Sequence, residues 1–346
     1  MSQTKERNLT IDFIKAIAIF GVLVIHVGSG VLTQTQIGSF AWTSGLLWGA
    51  LVRGSVPLFL MASGAIMLNA AKPLSLKKLY FHNIARIVLA MLVWGFGYKL
   101  YHLVLAGQMN LSMIWYSLKR LLLFDQEFHF YYIHMILIVY VFLPITRLFA
   151  EKADKKLLEY ALCIWGVFAV VYPMLRNFAP FTLLSGLTGQ WAINLTFASV
   201  GYGLFGYYLT KYPFTFIKSV VCFLVGFILT FGATFILSYQ AGALNEQFLQ
   251  GTSPGVCLLA AGIFSLASFV KAKGIFKKMI LCLSKASFCI YLSHMFILYI
   301  LEHFGIRAQL LPALFSVPLL SVLVLLICLF VYGVLSSIPV LKKWII

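Results

Sequence analysis

The chain is dominated by apolar runs that are long enough to cross a lipid bilayer. About 20 apolar residues span the hydrocarbon core of a membrane, and runs of that length recur throughout the sequence. Charged residues make up only 10% of the 346 residues, against roughly a quarter in soluble domains. A soluble fold must cover its surface with polar groups, so a cytosolic enzyme, a secreted disulfide scaffold and a disordered chain are excluded. The runs are continuous rather than alternating, which also excludes a membrane β-barrel.

The remaining class is an all-α polytopic membrane protein. The sequence predicts about ten transmembrane helices in one bundle, forming a single integral membrane domain over residues 1–346. To within about four residues, the predicted spans are 10–32, 44–70, 80–105, 129–149, 156–175, 191–210, 213–240, 253–270, 283–303 and 312–338. The stretch 111–124 is too short to cross and is predicted as an interfacial or re-entrant amphipathic helix.

The distribution of Lys and Arg predicts that both termini are cytosolic. With that orientation, 18 of the 26 basic residues fall in cytosolic segments and four in outer loops. We therefore interpret the net charge of +17 as a topology signal that also attracts anionic lipid headgroups, and not as a nucleic-acid site. The six cysteines form no CxxC pair, so neither a metal site nor a disulfide framework is predicted.

The first span carries three ionisable groups that the bilayer tolerates poorly: Asp12, Lys15 and His26. Asp12 and Lys15 lie one turn apart and can pair. Lys15 and His26 share a helix face and are separated by about 16 Å along the axis. This pattern predicts that both face a channel or the bundle interior. A packed histidine and an ion pair at the helix start are the alternative.

The second and third spans add deeper basic groups. Arg53 lies at mid-membrane and is predicted to meet water, backbone carbonyls or an anionic substrate, while Pro57 is predicted to bend its helix. Arg86 lies about two turns inside the third span and is a candidate phosphate ligand. For Lys77 and Lys78, snorkelling to lipid headgroups is equally compatible with the sequence.

Two later spans carry clusters of His and Tyr. The fourth span opens on a polar aromatic mouth, and the ninth has a Tyr and a His on one face. An interfacial aromatic belt and a polar contact between helices are the ordinary explanations. Two histidines within the mouth favour a pocket for a polar acceptor, and we assign acceptor binding to His129, Tyr131, Tyr132, His134, Tyr291 and His294.

A basic vestibule, an apolar passage and a distant imidazole suit acyl-coenzyme A, which has an anionic head and a long thin arm ending in a thioester. The donor-binding residues would be Asp12, Lys15, Arg86, Lys77 and Lys78. His26 can take a hydroxyl proton near neutral pH or accept the acyl group itself. Arg53 or Ser63 can stabilise the oxyanion. The sequence leaves both routes open.

The same residues resemble a known family. The stretch from Asp12 through Lys15 to His26 is similar to the Asp-x-x-Arg-x10-His opening of the acyltransferase-3 family of integral membrane acyltransferases. The segment from Arg53 to Ser63-Gly64 resembles its second-span signature, and the third span around Arg86 also matches. The surface-polysaccharide O-acyltransferase branch is matched by the run from His129 to Pro144, and the family's C-terminal Tyr-x-x-His by Tyr291 and His294.

The resemblance implies ten spans, a cytosolic acyl-CoA donor (acetyl-CoA above all), and a hydroxyl acceptor on a cell-surface or lipid-linked glycan. It implies that His26 is the essential histidine, that Arg53, Ser63 and Arg86 are site residues, and that the protein lies in a bacterial plasma membrane. No metal is implied. Lys15 stands where the family usually has Arg, so a bidentate contact there becomes a point charge.

Two other classes remain as alternatives. A secondary transporter of a glycan or lipid-linked intermediate would be favoured by paired interrupted helices in two related halves, which the sequence lacks. A membrane sensor or scaffold would need no histidine aligned with a basic vestibule. The sequence leaves the oligomeric state open, including a homo-oligomer.

Overall fold

The computed structural model describes residues 8–69, 73–184, 186 and 195–346. Within these ranges the chain is helical and has no strand. Nine helices there are long and apolar enough to cross a membrane. The prediction of an all-α polytopic membrane protein is thus confirmed.

The helices follow the predicted spans closely. They are α1 (Leu9–Gln34), α2 (Phe40–Leu51), α3 (Ser55–Met67), α4 (Leu76–Leu105), α5 (Leu111–Leu122), α6 (Tyr131–Lys152), α7 (Lys155–Leu175), α8 (Leu195–Lys211), α9 (Phe216–Ala241), α10 (Pro254–Leu266), α11 (Gly274–His303), α12 (Ala313–Ser336) and α13 (Pro339–Trp344). Short 3-10 turns include Phe128–Phe130 and Gln247–Leu249. Of the predicted span 191–210, residues 191–194 lie outside the described residues, and α8 accounts for the remainder. The predicted amphipathic stretch 111–124 is α5.

Helix α1 occupies the centre of the bundle. It packs against α2, α3, α11 and α12, and 61% of its most apolar 18-residue stretch is buried. In α9, by contrast, only 17% of the corresponding 18-residue stretch is buried. An Asn8 side chain that accepts a hydrogen bond from the Ile11 amide fixes the start of α1. Because α1 is surrounded by protein, its polar groups lie among other helices.

The second span is broken between α2 and α3. The break covers residues 52–54, and α3 begins at Ser55. Pro57 therefore lies in the first turn of α3, where a missing backbone N–H is tolerated, and the bend precedes it. Arg53 lies within the break, and its side chain emerges between two helix ends.

Small residues let α3 and α8 approach closely. A Cβ added to Gly64 would lie 1.9 Å from the Gly203 carbonyl oxygen, and one added to Gly206 would lie 2.1 Å from the Met61 carbonyl oxygen. Small residues at such crossings are typical of membrane helix pairs, because packing drives their association. The contact fixes the position of Ser63, which immediately precedes Gly64.

We expect Gly64→Ala to lower the stability of the folded protein by about 1–3 kcal/mol, the usual cost of overpacking. The obstructing atom belongs to the backbone of α8, so the helices must separate. The measurement is the midpoint of thermal unfolding of the purified protein in detergent. Gly97→Ala is the matched control, since nothing lies within 4 Å of its added Cβ. Equal midpoints for the two variants would contradict the close α3–α8 contact.

Candidate active site

Two cavities lie inside the bundle and meet at the Tyr291 side chain, which lines both. The first, here called the basic cavity, has a volume of about 300 Å³ and contains Lys15, Arg86 and Lys285. These three cations come from α1, α4 and α11, so the helix packing gathers them from distant parts of the sequence. The basic cavity therefore carries a strong positive charge suited to an anionic ligand.

Two of the basic cavity's walls are tied to neighbouring segments. Ser284 lines the cavity and donates a 2.5 Å hydrogen bond to the Asp12 carboxylate, which links α11 to α1. Arg86 donates to the Ile346 carbonyl and lies 5.7 Å from the centroid of the Phe288 ring. These contacts orient the guanidinium at the edge of the cavity.

The second cavity, here called the histidine cavity, has a volume of about 490 Å³. Its polar lining includes His26 from α1, His129 from the turn before α6, and Arg53 from the break in the second span. Its other walls combine apolar side chains of α1, α3 and α6 with residues of α8, α11 and the connection between α9 and α10. A mostly apolar pocket with a few convergent polar groups is the usual form of a small-molecule site.

Three imidazoles gather at the histidine cavity. The His26 ring centroid lies 5.0 Å from that of His294 and 6.3 Å from that of His129. Within the described ranges, no group of three His, Cys, Asp or Glu residues is arranged to hold a metal ion. Imidazoles at these distances can exchange protons and hydrogen bonds through one another or through water.

The tautomer of His294 follows from its contacts. Its Nδ1 lies 2.6 Å from the Tyr291 carbonyl oxygen and 3.2 Å from that of Ile290. Carbonyl oxygens only accept, so Nδ1 carries the proton and Nε2 of the neutral ring is an acceptor. Among the described residues, His294 Nε2 and both ring nitrogens of His129 are buried without a hydrogen-bond partner. These ring nitrogens are therefore available to hydrogen-bond a water or a ligand.

Aromatic rings separate the two cavities. The Tyr132 ring lies 5.2 Å from that of Tyr291 and 5.7 Å from that of Phe59, measured between centroids. The Tyr291 hydroxyl donates to the His129 carbonyl, which fixes the ring at the boundary. We call Phe59, Tyr132 and Tyr291 the aromatic constriction.

Arg53 is held by the backbone of a distant segment. Its Nε donates a 2.6 Å hydrogen bond to the Leu249 carbonyl, 196 residues away in sequence. The sequence predicts water, a backbone carbonyl or an anionic substrate as the partner of Arg53, and the structure shows a backbone carbonyl. The planar guanidinium has further donors, and it lines the histidine cavity. The hydrogen bond at Nε thus positions a cation beside His26.

Ion pairs fix the loop that leads to His129. Asp125 Oδ2 lies 2.6 Å from Arg120 Nε and 3.4 Å from Lys99 Nζ, and the hydrogen bond from Arg120 lowers the pKa of the Asp125 carboxyl. Glu127 accepts from the Tyr299 hydroxyl at 3.2 Å and lies 3.0 Å from His102 Nε2. Two anchored carboxylates just before His129 hold this turn against α4 and α11.

The structure separates the predicted site residues into groups. Lys15 and Arg86 line the basic cavity, with Asp12 reached through Ser284, whereas Lys77 and Lys78 are exposed and outside its lining. Ser63 also lines the basic cavity and donates to the Phe59 carbonyl at 2.8 Å. It does not line the cavity that contains His26.

The predicted acceptor residues divide in the same way. His129 and Tyr131 line the histidine cavity, and His294 packs against His26. Tyr132 and Tyr291 belong to the aromatic constriction. His134 lines neither cavity, and its ring contacts Phe124 at 5.7 Å between centroids.

Some lining residues have no signal in the sequence that would have identified them. Lys285 lies near the start of a predicted span, where a lysine is an ordinary signal of membrane topology. Tyr202 is an ordinary aromatic of its helix. Glu246 and Gln250 stand in a short connection between two spans, and only the fold brings that connection to His26.

The fold and the site together define a class of protein: a polytopic helical membrane protein with a basic cavity and a histidine cavity in one bundle. The family model described as "Acyltransferase domain", that of the acyltransferase-3 family, matches residues 8–334. The chain belongs to this family and is a membrane acyltransferase. No curated protein and no solved structure gives a significant match to the chain.

Proposed function

We propose that the protein transfers an acyl group, acetyl above all, from cytosolic acyl-CoA through the bundle to a hydroxyl of a cell-surface or lipid-linked glycan. The observation that carries this proposal is the pair of cavities that meet at Tyr291, one basic and one containing His26. The geometry lets a charged donor head and the acceptor stay on opposite sides of the membrane. The motif from His129 to Pro144 favours the surface-polysaccharide branch of the family.

The basic cavity is proposed to hold the nucleotide head of the donor. Lys15, Arg86 and Lys285 can each contact a phosphate, Arg86 as a planar fork and the lysines as point charges. The distribution of Lys and Arg assigns this side to the cytosol. The pantetheine arm would pass the aromatic constriction, and the thioester would reach His26, about 16 Å from Lys15 along α1.

The histidine cavity supplies the groups for acyl transfer. His26 takes the proton of the acceptor hydroxyl as its oxygen attacks the thioester carbonyl carbon. Arg53 stabilises the negative charge that develops on the carbonyl oxygen. The carbon–sulfur bond then breaks, and the coenzyme A thiolate takes the proton from His26, which restores the neutral imidazole. His294, whose Nε2 is an acceptor, can orient an N–H of His26 directly or through a water.

Membrane vesicles of defined orientation test this proposal. With radiolabelled acetyl-CoA supplied only to the cytosolic face, the label should appear as an alkali-labile ester on glycan at the other face. In vesicles of the opposite orientation the donor in the medium reaches only the non-cytosolic face. These vesicles should form no labelled ester. Mass spectrometry of the surface glycan from cells with and without the protein identifies the acyl group and the acceptor. A glycan of identical mass in both strains would refute the proposal.

Opening the aromatic constriction should uncouple donor cleavage from transfer. Tyr291→Ala removes the ring that lines both cavities, so water gains access to the thioester path. We expect the ratio of acyl-CoA hydrolysis to acyl transfer to rise by about tenfold, because an enclosed site normally excludes such side reactions. Free coenzyme A and glycan ester are measured in the same reaction. Tyr160→Ala is the control, since that ring is exposed and lines neither cavity. An unchanged ratio in Tyr291→Ala would contradict the role of the aromatic constriction.

A further inference from the structure

A polar groove continues outward from the histidine cavity. It has a volume of about 320 Å³ and lies between the end of α7 and the connection from α9 to α10. Its polar lining consists of Arg176, Asn177, Glu246, Gln247, Gln250 and Thr252. Glu246 and Gln250 also line the histidine cavity, so a ligand in the groove reaches the space beside His26.

The floor of this groove is anchored by side chains of the membrane spans. Arg53 donates to the Leu249 carbonyl at 2.6 Å, and the buried Tyr202 donates to the Gly251 carbonyl, also at 2.6 Å. These bonds hold the backbone on either side of Gln250. A binding loop fixed before its ligand arrives loses less entropy on binding, so the groove has the construction of a binding site.

The lining favours an uncharged ligand with many hydroxyl groups. The carboxylate of Glu246 and the guanidinium of Arg176 carry opposite charges. The carboxamides of Asn177, Gln247 and Gln250 provide both donors and acceptors. One charge of each sign gives the groove no net preference for an anion or a cation, whereas sugar hydroxyls can donate to the carboxylate and pair with the carboxamides.

Apolar side chains complete the lining of the groove, namely those of Pro173 and Met174. Behind it, the rings of Phe178 and Phe248 lie 6.2 Å apart between centroids, which joins the two segments that form the groove. Apolar side chains beside hydrogen-bonding groups suit a sugar, whose C–H faces are apolar and whose edges are polar. We infer that this groove binds neutral saccharide units of the acceptor glycan and directs one hydroxyl to His26. This inference rests on the proposed function.

Paired variants test the groove in cells, with the cells' own surface glycan as the probe. The double variant Asn177→Ala/Gln247→Ala removes two carboxamides that line the groove and not the histidine cavity, and we expect the ester content of the glycan to fall by at least about tenfold. The affinity of the purified variant for coenzyme A should stay within about twofold of the wild type. Gln309→Ala is the matched control, because Gln309 pairs with Gln34 at 3.0 Å and lies outside the groove.

Reversible blocking separates binding from folding. In cells carrying Thr252→Cys, which lines the groove and not the histidine cavity, the membrane-impermeant reagent methanethiosulfonate ethylsulfonate should stop new ester formation, and a reductant should restore it. The reagent should leave Gln309→Cys and the wild type unaffected. A Thr252→Cys protein that already lacks transfer but binds coenzyme A supports the groove. If it binds no coenzyme A, Gln247→Cys takes its place.

The outcomes distinguish the groove from the proposed function. Unchanged ester content in the double variant, together with transfer that resists the reagent, would overturn the groove while leaving the function intact. If instead His26→Ala cells kept a fully esterified glycan, the proposed function itself would fail. Loss of coenzyme A binding in the double variant and in both cysteine variants would show a structural role and overturn the groove as a binding site.

Discussion

His26→Ala is expected to lower the rate of acyl transfer by about 10²–10⁴-fold, the usual contribution of a positioned general base. His26 lines the histidine cavity, and a sugar hydroxyl without a base is a poor nucleophile at neutral pH. The rate is measured as glycan ester formed per molecule of protein in vesicles given radiolabelled acetyl-CoA. The affinity for coenzyme A should not change, because His26 does not line the basic cavity.

A second histidine provides the control for this prediction. His303 lies at the exposed end of α11, outside both cavities, and His303→Ala should transfer at the wild-type rate. His26→Ala that retains more than about a tenth of the wild-type rate would refute the base role. Release of one equivalent of coenzyme A without acceptor would favour an acyl-imidazole on His26, since a base alone gives no such burst.

The sequence predicts the parts of this molecule that depend on local physics. Spans follow from apolar length, and helix geometry alone places Lys15 and His26 on one face of α1. That face is directed into the bundle because a charge in lipid is costly, and both residues line cavities. The prediction that Arg53 needs a polar partner rests on the same cost of a charge in lipid. The Leu249 carbonyl accepts its hydrogen bond.

The parts that the sequence could not predict depend on contacts between distant segments. The break at residues 52–54 agrees with the bend predicted from Pro57, which removes the hydrogen-bond partner of the carbonyl four residues earlier. The sequence does not reveal that Arg53 in this break bonds the Leu249 carbonyl, 196 residues away. The sequence predicts Ser63 as a residue that stabilises the oxyanion beside His26, but in the structure Ser63 lines the basic cavity. The depth of a residue in its own span does not reveal which neighbouring helices surround it.

The loop between α9 and α10 is the clearest case. Glu246 and Gln250 occur in a short polar connection that looks like any other loop on the hydropathy pattern. Their position beside His26 requires Arg53 and Tyr202, from two other spans, to anchor the intervening carbonyls. Spacing within one helix therefore places Lys15 and His26 on one face, whereas only the tertiary structure shows that Glu246 and Gln250 line the cavity that contains His26.

Removing the positive charges of the lysines in the basic cavity should weaken the binding of the donor. We expect Lys15→Gln to raise the dissociation constant for coenzyme A by about tenfold, and Lys15→Gln/Lys285→Gln by about a hundredfold, because each lysine supplies one charge-assisted contact to a phosphate. Both variants keep an uncharged polar chain of similar length, which limits the disturbance to packing. Arg86 is left intact because it also contacts Ile346 and Phe288.

Two comparisons separate this charge effect from a general loss of fold. Pantetheine, the uncharged arm of the donor, should bind the wild type and both variants equally, since it has no phosphate for the lysines to contact. Raising the salt concentration should narrow the difference in coenzyme A affinity, because mobile ions screen exposed charges. Lys271→Gln, an exposed lysine before α11 that does not line the cavity, should bind coenzyme A like the wild type. If Lys15→Gln and Lys271→Gln behaved alike, the donor head would have to bind elsewhere, and the passage from the basic cavity to His26 would lose its substrate.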